Sequence, residues 1–265
     1  MSLLRLIARL DIKGKNVVKG IQMEGLRVVG NPSEMAKAYA QEGVELLYID
    51  TVATLYGRNQ LYPLLEETTD DVFVPITVAG GIRSLDDVKQ LLRCGADAVA
   101  INTAALARPA LVNEVSDVCG AQAVTVSIEA KRVNGNGGTP CWEAYTDNGR
   151  NPSGRDALEW AKEAAERGAG QILLTSVDRD GTMRGFDTAL VAAVKPLVSV
   201  PVIASGGMGC LAHYASVLKH TKAVAVGAAL HYGRVTLEEL KQGSLGLAAQ
   251  DKPWQASAPG VNPAP

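Results

Sequence analysis

Short aliphatic runs alternate with longer segments of helical periodicity from the amino end of the chain to about residue 245. Each run is nearly continuous in Val, Ile, Leu and Ala, the pattern of a strand that is buried on both faces of a parallel sheet. Eight such runs occur, separated by segments that can cover a sheet as helices. The predicted strands are Leu4–Leu10, Glu45–Ile49, Val74–Val78, Ala96–Ile101, Ala123–Ile128, Gln171–Thr175, Val200–Ala204 and Ala223–Val226.

Three of the intervening segments carry the sequence signals of helix ends. Serine side chains are good N-caps, so Ser33 and Ser84 are predicted to begin the first two helices. Gly43 and Gly168 are predicted to stop the first and third, because glycine adopts the left-handed conformation that often ends a helix. The predicted helices are Ser33–Glu42, Ser84–Cys94 and Arg155–Arg167.

The second half of the chain repeats the first. The segment Thr77–Leu106 is similar to Val202–Leu230, and Gly206 follows Gly80 by 126 residues. Self-similarity at half the chain length, with four βα units in each half, predicts a (βα)8 TIM barrel built from two repeated half-barrels. A doubly wound open sheet is the alternative α/β architecture, but it does not predict the half-length repeat.

Two segments fall outside this regular pattern. The turn-rich stretch Gly135–Gly138 lies between two extended stretches after the fifth strand and predicts a β-hairpin insertion that overhangs the active-site face. Residues 246–265 are rich in Pro and Ala and are predicted to be a disordered tail, which leaves residues 1–245 as the barrel domain.

Composition narrows the functional classes. The chain has 265 residues, of which 47% are hydrophobic and 20% charged, enough for a sizeable core. Lys and Arg total 26 against 28 Asp and Glu, so there is no basic field for nucleic acid or an anionic membrane. No apolar run has the length of a membrane span, and Asp11 comes too soon for a signal peptide. A cytoplasmic protein is predicted.

Metals, cofactors and disulfides are not expected. The four cysteines are widely spaced and form no C-x-x-C pair, and the three histidines have no metal-ligand spacing. The cysteines are therefore predicted to be reduced, mostly buried, small apolar residues: Cys94, Cys119, Cys141 and Cys210.

Carboxylates close several of the predicted strands, where barrel enzymes carry their catalytic groups. Asp11 and Glu129 follow the first and fifth strands, half a barrel apart, and are predicted to be an acid–base pair facing one cavity. Asp50 and Asp180 are further candidates. The alternative for any one of them is a turn cap or an ion pair with a neighbouring lysine.

Two similar sets of small residues follow strands of the two halves. A Gly-Gly pair follows the third and seventh strands, where backbone N–H groups can approach an anion. A short segment follows the fourth and eighth strands, the usual phosphate position of barrels. The duplication predicts two phosphate sites and a long ligand with a phosphate at each end. The residues are Gly80, Gly81, Asn102 and Thr103 in the first half, and Gly206, Gly207, Gly227 and Ala228 in the second.

These motifs together resemble the cyclase subunit of imidazole glycerol phosphate synthase over about residues 4–240. The resemblance is carried by LDIKGKNVVKG, VAGGI, GADAVAINTAAL, LLTSVDRDGTMRGFD and IASGGMG. The isomerase of the preceding step in histidine biosynthesis shares the repeat and a bisphosphate substrate, but VVKG and DRDGT are closer to the cyclase.

The resemblance implies an activity and a partner. Ammonia would convert a phosphoribulosyl formimino aminoimidazole carboxamide nucleotide into imidazole glycerol phosphate and aminoimidazole carboxamide ribotide. A glutaminase subunit, docked at the amino-terminal face, would form a heterodimer and supply the ammonia through the barrel.

The resemblance also implies residue roles. Asp11 matches the first catalytic aspartate, and Lys19 the lysine of a mobile first loop. Thr175, with the two candidate aspartates after the second and sixth strands, would contact substrate, and Ser205 would join the second phosphate set. A ring of residues that gates ammonia entry corresponds to Arg5, Glu45, Ala98 and Gln171.

The chain departs from the family pattern at several of these positions. Glu129 replaces the second catalytic aspartate, and its extra methylene moves the carboxylate by about 1 to 1.5 Å. Ala98 and Gln171 replace a lysine and a glutamate of the gate, and Arg9 replaces a small residue. Changes at catalysis and gate together fit an alternative: a specialised paralogue that supplies ammonia to a surface-sugar amidotransferase, or a non-cyclising scaffold. Retention of both phosphate sets favours the cyclase.

Overall fold

Eight parallel strands close into a barrel in the computed structural model, which describes residues 4–51, 61–134 and 140–250. Each barrel strand pairs with two others, and the last returns to pair with the first. This confirms the predicted (βα)8 barrel and rules out the open sheet. In order around the barrel the strands are β1 (Arg5–Lys13), β4 (Glu45–Asp50), β5 (Ile76–Ala79), β6 (Ala98–Ile101), β7 (Val124–Asn134), β10 (Gln171–Ser176), β11 (Val202–Ser205) and β12 (Ala223–Val226).

Helices alternate with the barrel strands along the chain. The last one extends past residue 245, and residues 251–265, most of the predicted tail, lie outside the described residues. None of the described helices has the length and apolar character that crossing a membrane requires. The helices are α1 (Pro32–Gln41), α2 (Leu61–Thr69), α3 (Leu85–Arg93), α4 (Thr103–Ala107), α5 (Ala110–Cys119), α6 (Ala157–Glu166), α7 (Thr188–Val194), α8 (Leu211–Val217), α9 (Ala228–His231) and α10 (Leu237–Gln250).

The helix ends show which sequence signals were correct. Ser84 caps α3 as predicted, in a reciprocal capping box with Asp87. Ser33 was the wrong N-cap of α1, because the side chain of Asn31 accepts the Glu34 N–H and Pro32 takes the first helical position.

Two hairpins extend β1 and β7 beyond the barrel. β2 (Asn16–Ile21) and β3 (Glu24–Gly30) continue from β1, and β8 (Pro140–Thr146) and β9 (Asn151–Asp156) continue from β7. The second extension confirms the predicted hairpin, whose tip at residues 135–139 lies outside the described residues. The first was not predicted. Its equivalent position in the other half extends the internal repeat.

The strand ends predicted at residues 10 and 128 were too early. Asp11 and Glu129 lie inside β1 and β7, because one edge of each strand passes from a parallel barrel neighbour to an antiparallel hairpin strand, while the other edge stays paired with β4 or β10. Their carboxylates therefore lie at the junction between the barrel and the two hairpins.

Apolar side chains fill both layers of the fold. The larger core lies between barrel and helices and contains fully buried Tyr48 and Trp160. Side chains alternate across a strand, so every second residue of β1 points into the barrel. A smaller buried cluster that includes Ile7, Leu173 and Ile203 packs there, above Arg5 and below the catalytic end.

Candidate active site

Four charged side chains meet at the carboxyl ends of the strands: Arg9, Asp11, Lys19 and Asp180, each no more than 5% exposed. Lys19 Nζ lies 2.6 Å from Asp11 Oδ2 and 3.0 Å from Asp180 Oδ2. Arg9 Nε donates to Asp11 Oδ1 at 2.8 Å. Two cations and two carboxylates thus compensate each other in the buried cluster, as buried charges require.

The state of Asp11 follows from these neighbours. Burial disfavours its ionisation, but Arg9 and Lys19 outweigh that effect and hold the pKa of Asp11 well below its usual range. Asp11 is therefore a carboxylate at neutral pH, with both oxygens engaged.

The first hairpin carries Lys19 into this cluster. The resemblance placed Lys19 in a mobile loop, whereas the structure places it in strand β2 with only 3% of its surface exposed. The hairpin is held by the Gln22 N–H, which donates to the Asp180 carbonyl at 2.7 Å. Gly181 has a φ of +70°, and a Cβ there would lie 2.0 Å from the Gly20 carbonyl oxygen. Glycine at this position lets the hairpin approach.

Glu129 lies in the opposite half-barrel with a different protonation equilibrium. It is 8% exposed, and its Oε2 accepts the Gly149 N–H at 2.8 Å. Burial raises the pKa of Glu129 to about 7, an effect that the Gly149 bond and the nearby Arg9 oppose only in part. Glu129 exchanges a proton near neutral pH, while Asp11 stays ionised.

A turn between β8 and β9 covers Glu129. Asp147, Asn148 and Gly149 all have φ between 56° and 70°. The Asn148 side chain donates to the Thr51 carbonyl at 2.6 Å, and the Asp147 N–H donates to Thr103 Oγ1 at 3.3 Å. The turn thus ties together the ends of several barrel strands. Sequence reasoning missed its residues, although Asp-Asn-Gly is a strong turn signal that could have identified them.

The first set of predicted phosphate residues, here called the first cradle (Gly80, Gly81, Asn102 and Thr103), lines a cavity of about 380 Å³. Gly80 has a φ of 105°, and a Cβ there would lie 2.5 Å from the Asp50 carbonyl oxygen, so glycine is required. Asp50, Thr175 and Glu129 line the same cavity. The structure therefore brings Glu129, Asp50 and Thr175 to one space, whereas Asp11 and Asp180 line a neighbouring closed space of about 10 Å³.

The second set, here called the second cradle (Ser205, Gly206, Gly207, Gly227 and Ala228), is far more closed. It lines a space of about 10 Å³ together with Arg9 and Asp180. Both glycines of its Gly-Gly pair have positive φ, as in the first cradle. The two cradles thus share positive φ angles at their glycine pairs, but they differ in free volume.

A half-buried histidine fixes strand β1 beside the second cradle. His231 Nε2 donates to the Arg9 carbonyl at 2.9 Å, and its Nδ1 lies 2.9 Å from the Tyr39 hydroxyl. Burial lowers the pKa of His231 to about 4, so the ring is neutral and its role here is structural.

The residues of the predicted gate lie at the amino-terminal ends of their strands. Arg5 makes a two-pronged pair with Glu45, with distances of 2.8 and 2.6 Å, and its NH1 donates to Gln171 Oε1 at 2.9 Å. Gln171 in turn donates to Thr125 Oγ1 at 2.8 Å. Ala98 is buried at the start of β6. Within the described ranges, no cluster of His, Cys, Asp and Glu could hold a metal ion.

A closed (βα)8 barrel with two buried carboxylates and duplicated glycine pairs at the carboxyl ends of its strands has the architecture of a TIM-barrel enzyme. The chain belongs to the histidine biosynthesis protein family, whose model matches residues 5–236. It is similar to the imidazole glycerol phosphate synthase subunit HisF of Legionella pneumophila, with 58% identity over 216 residues. That alignment covers 81% of this chain and 100% of the relative.

Proposed function

We propose that this chain is the cyclase subunit of an imidazole glycerol phosphate synthase. It uses ammonia to convert the phosphoribulosyl formimino aminoimidazole carboxamide nucleotide into imidazole glycerol phosphate and aminoimidazole carboxamide ribotide. The observation that carries the proposal is the placement of Asp11 and Glu129 on opposite half-barrels, at the same end as both cradles. The 58% identity to a protein named for this synthase supports it.

The two carboxylates divide the proton transfers between them. Asp11 is the base, because two cations keep it ionised. Glu129 is the acid, because burial keeps it partly protonated at neutral pH. Carboxyl groups whose environments push their pKa values apart are the usual basis of paired acid and base catalysis.

The remaining residues hold the substrate. The first cradle binds one phosphate and the second cradle the other, with backbone N–H groups as donors. Asp50, Thr175 and Asp180 contact the part of the ligand that lies between the two cradles. Lys19 of the first hairpin contacts it as well. No cofactor is needed for this scheme, and we expect the enzyme in the cytoplasm.

The test is turnover of the formimino ribulosyl nucleotide by the purified chain with an ammonium salt as the nitrogen source. Formation of imidazole glycerol phosphate, with release of the ribotide in equal amount, is the expected result. Binding of the nucleotide without product would instead assign the chain to the scaffold or ammonia-supply alternative, which the open cavity around Glu129 does not favour.

The amino-terminal face offers a surface for a glutaminase partner. Three exposed apolar side chains lie in segments that lead into barrel strands, which places them on that face: Phe73 is 91% exposed, Val118 57% and Leu197 42%. The Arg5–Glu45 pair opens on the same face. Exposed aromatic residues are common anchors of protein interfaces. We therefore assign this face to the partner, which delivers ammonia into the barrel.

Replacing Phe73 tests this assignment. Phe73→Ser is expected to weaken the complex with the glutaminase by at least about tenfold, since a buried aromatic anchor contributes about 2 kcal/mol or more. Turnover with ammonium salt should not change, because Phe73 is remote from the catalytic end. The control is Leu211→Ser, which removes a side chain that is 41% exposed at the opposite end of the barrel. Equal binding by both variants would place the interface elsewhere.

A further inference from the structure

Arg9 stands between the two cradles. It points into the barrel from β1 and is 5% exposed. Its NH1 donates to Ser205 Oγ at 3.0 Å and lies 3.7 Å from Asp180 Oδ1, while Nε holds Asp11. Arg9 also lines the cavity of the first cradle. The Arg9 guanidinium therefore bonds both Asp11 and Ser205, and it also lines the cavity of the first cradle.

The contrast between the two cradles points to this side chain. Their glycine pairs have similar backbone conformations, yet one borders about 380 Å³ of free space and the other about 10 Å³. The side chain that lines both spaces and bonds a residue of the second cradle is Arg9. Its guanidinium occupies room beside Ser205 that an anion would need.

The partners of Arg9 differ in how readily they can be exchanged. The bond to Asp11 joins two charged groups, whereas the Ser205 hydroxyl is a neutral acceptor. A phosphate oxygen is a stronger acceptor for a guanidinium than a hydroxyl, and the planar fork of arginine matches two phosphate oxygens at once. An anion that reaches the second cradle would therefore replace Ser205 as a partner and leave Asp11 in place.

We propose that Arg9 is a ligand of the second phosphate group: its NH1 leaves Ser205 Oγ, bonds the phosphate in the second cradle, and leaves the hydroxyl free to donate to the same anion. The inference rests on the proposed function, because it requires a substrate with a phosphate at each end. It assigns a phosphate-binding role to the position where this chain has arginine in place of a small residue.

Because Arg9 Nε also holds Asp11, the same side chain links phosphate binding to the position of the base. The phosphate and Asp11 would share one rigid guanidinium. Loss of Arg9 should then raise KM for the bisphosphate substrate and also release the Asp11 carboxylate on that side.

The experiment uses inorganic phosphate as the probe and titration calorimetry of the full chain as the readout. The wild type is expected to bind two equivalents. Arg9→Met should weaken one of them by at least about tenfold, as expected for a lost charge-assisted bond, and leave the other unchanged. Arg9→Lys keeps the buried charge, so it guards against misfolding, and should weaken the same equivalent by about threefold or more because the fork is lost. Arg93→Met removes an exposed charge from α3 and is the control.

The outcomes separate this inference from the proposed function. Two equivalents with wild-type affinity in Arg9→Lys overturn the role of Arg9, even if the chain turns over its nucleotide. A single equivalent in the wild type also overturns it, because Arg9 would then close the second cradle to anions. Failure of turnover with two phosphate sites that respond to Arg9 would instead count against the cyclase reaction alone.

Discussion

Glu129→Gln is expected to lower kcat by at least about a hundredfold, the usual contribution of a positioned proton donor. Glutamine has nearly the same shape as a protonated glutamic acid, and its amide oxygen can still accept the Gly149 N–H. The fold and phosphate binding should therefore survive. The measurement is steady-state turnover with the formimino nucleotide and ammonium salt.

The pH profile identifies Glu129 more specifically. As the acid, it is active in the protonated form, so kcat/KM of the wild type should fall as pH rises through about 7. That limb should be absent in Glu129→Gln. The matched control is Glu143→Gln on neighbouring strand β8, whose carboxylate also accepts a backbone N–H, from Gly154 at 2.7 Å. A limb near pH 7 that persists in Glu129→Gln would assign the proton to another group.

The same shift also predicts how stability depends on pH. The pKa of Glu129 is raised from 4.5 in its ordinary state to about 7 in the fold. Its contribution to the free energy of unfolding is therefore fully present below pH 4.5 and is lost as pH rises through 7. Activity and this part of the stability decline in the same direction, because both depend on the protonated form.

Asp11→Asn should have the largest combined effect, on turnover and on stability. Turnover is expected to fall by at least about a hundredfold, because the base is lost. The free energy of unfolding should fall by about 3 to 5 kcal/mol, since Arg9 and Lys19 would be left buried with only Asp180 to compensate them. Urea unfolding at neutral pH measures the second effect.

The control for this stability change is an exposed ion pair. Asp71→Asn breaks the contact with Lys37, where the aspartate side chain is 60% exposed, and should cost no more than about 1 kcal/mol. Equal losses for the two variants would contradict the compensation of charge in the buried cluster. Because the pKa of Asp11 is lowered, its stabilising effect is present above pH 3.8 and is lost as pH falls below it.

Strand positions could be predicted because a parallel barrel strand is buried on both faces and therefore reads as a continuous aliphatic run. The run at residues 223–226 matches β12 at both ends. The extensions of β1 and β7 could not be predicted in the same way. Their hairpins are partly exposed and interrupted by Lys and Gly, so the hydrophobic pattern stops before the strands do.

The positions of Asp11 and Glu129 followed from the repeat, but their chemistry did not. The pKa of Glu129 depends on burial, and that of Asp11 on cations brought from two strands. The contact between Arg9 and Ser205 joins residues 196 positions apart. Such contacts arise only when the barrel closes. The substitution at Arg9 was therefore visible in the sequence, but the contact that it makes with Ser205 was not.

The two cradles differ in free volume, so the two ends of the binding region are not equivalent. Two similar half-barrels facing one another would present the same surroundings to either end of a molecule that carries a phosphate at both ends. Such a molecule could then lie across the barrel in two senses, only one of which sets its reacting carbon beside the correct carboxyl group. With about 380 Å³ of free space at one end and about 10 Å³ at the other, the ends meet different surroundings. A barrel built from two similar halves can thereby distinguish the two ends of its ligand.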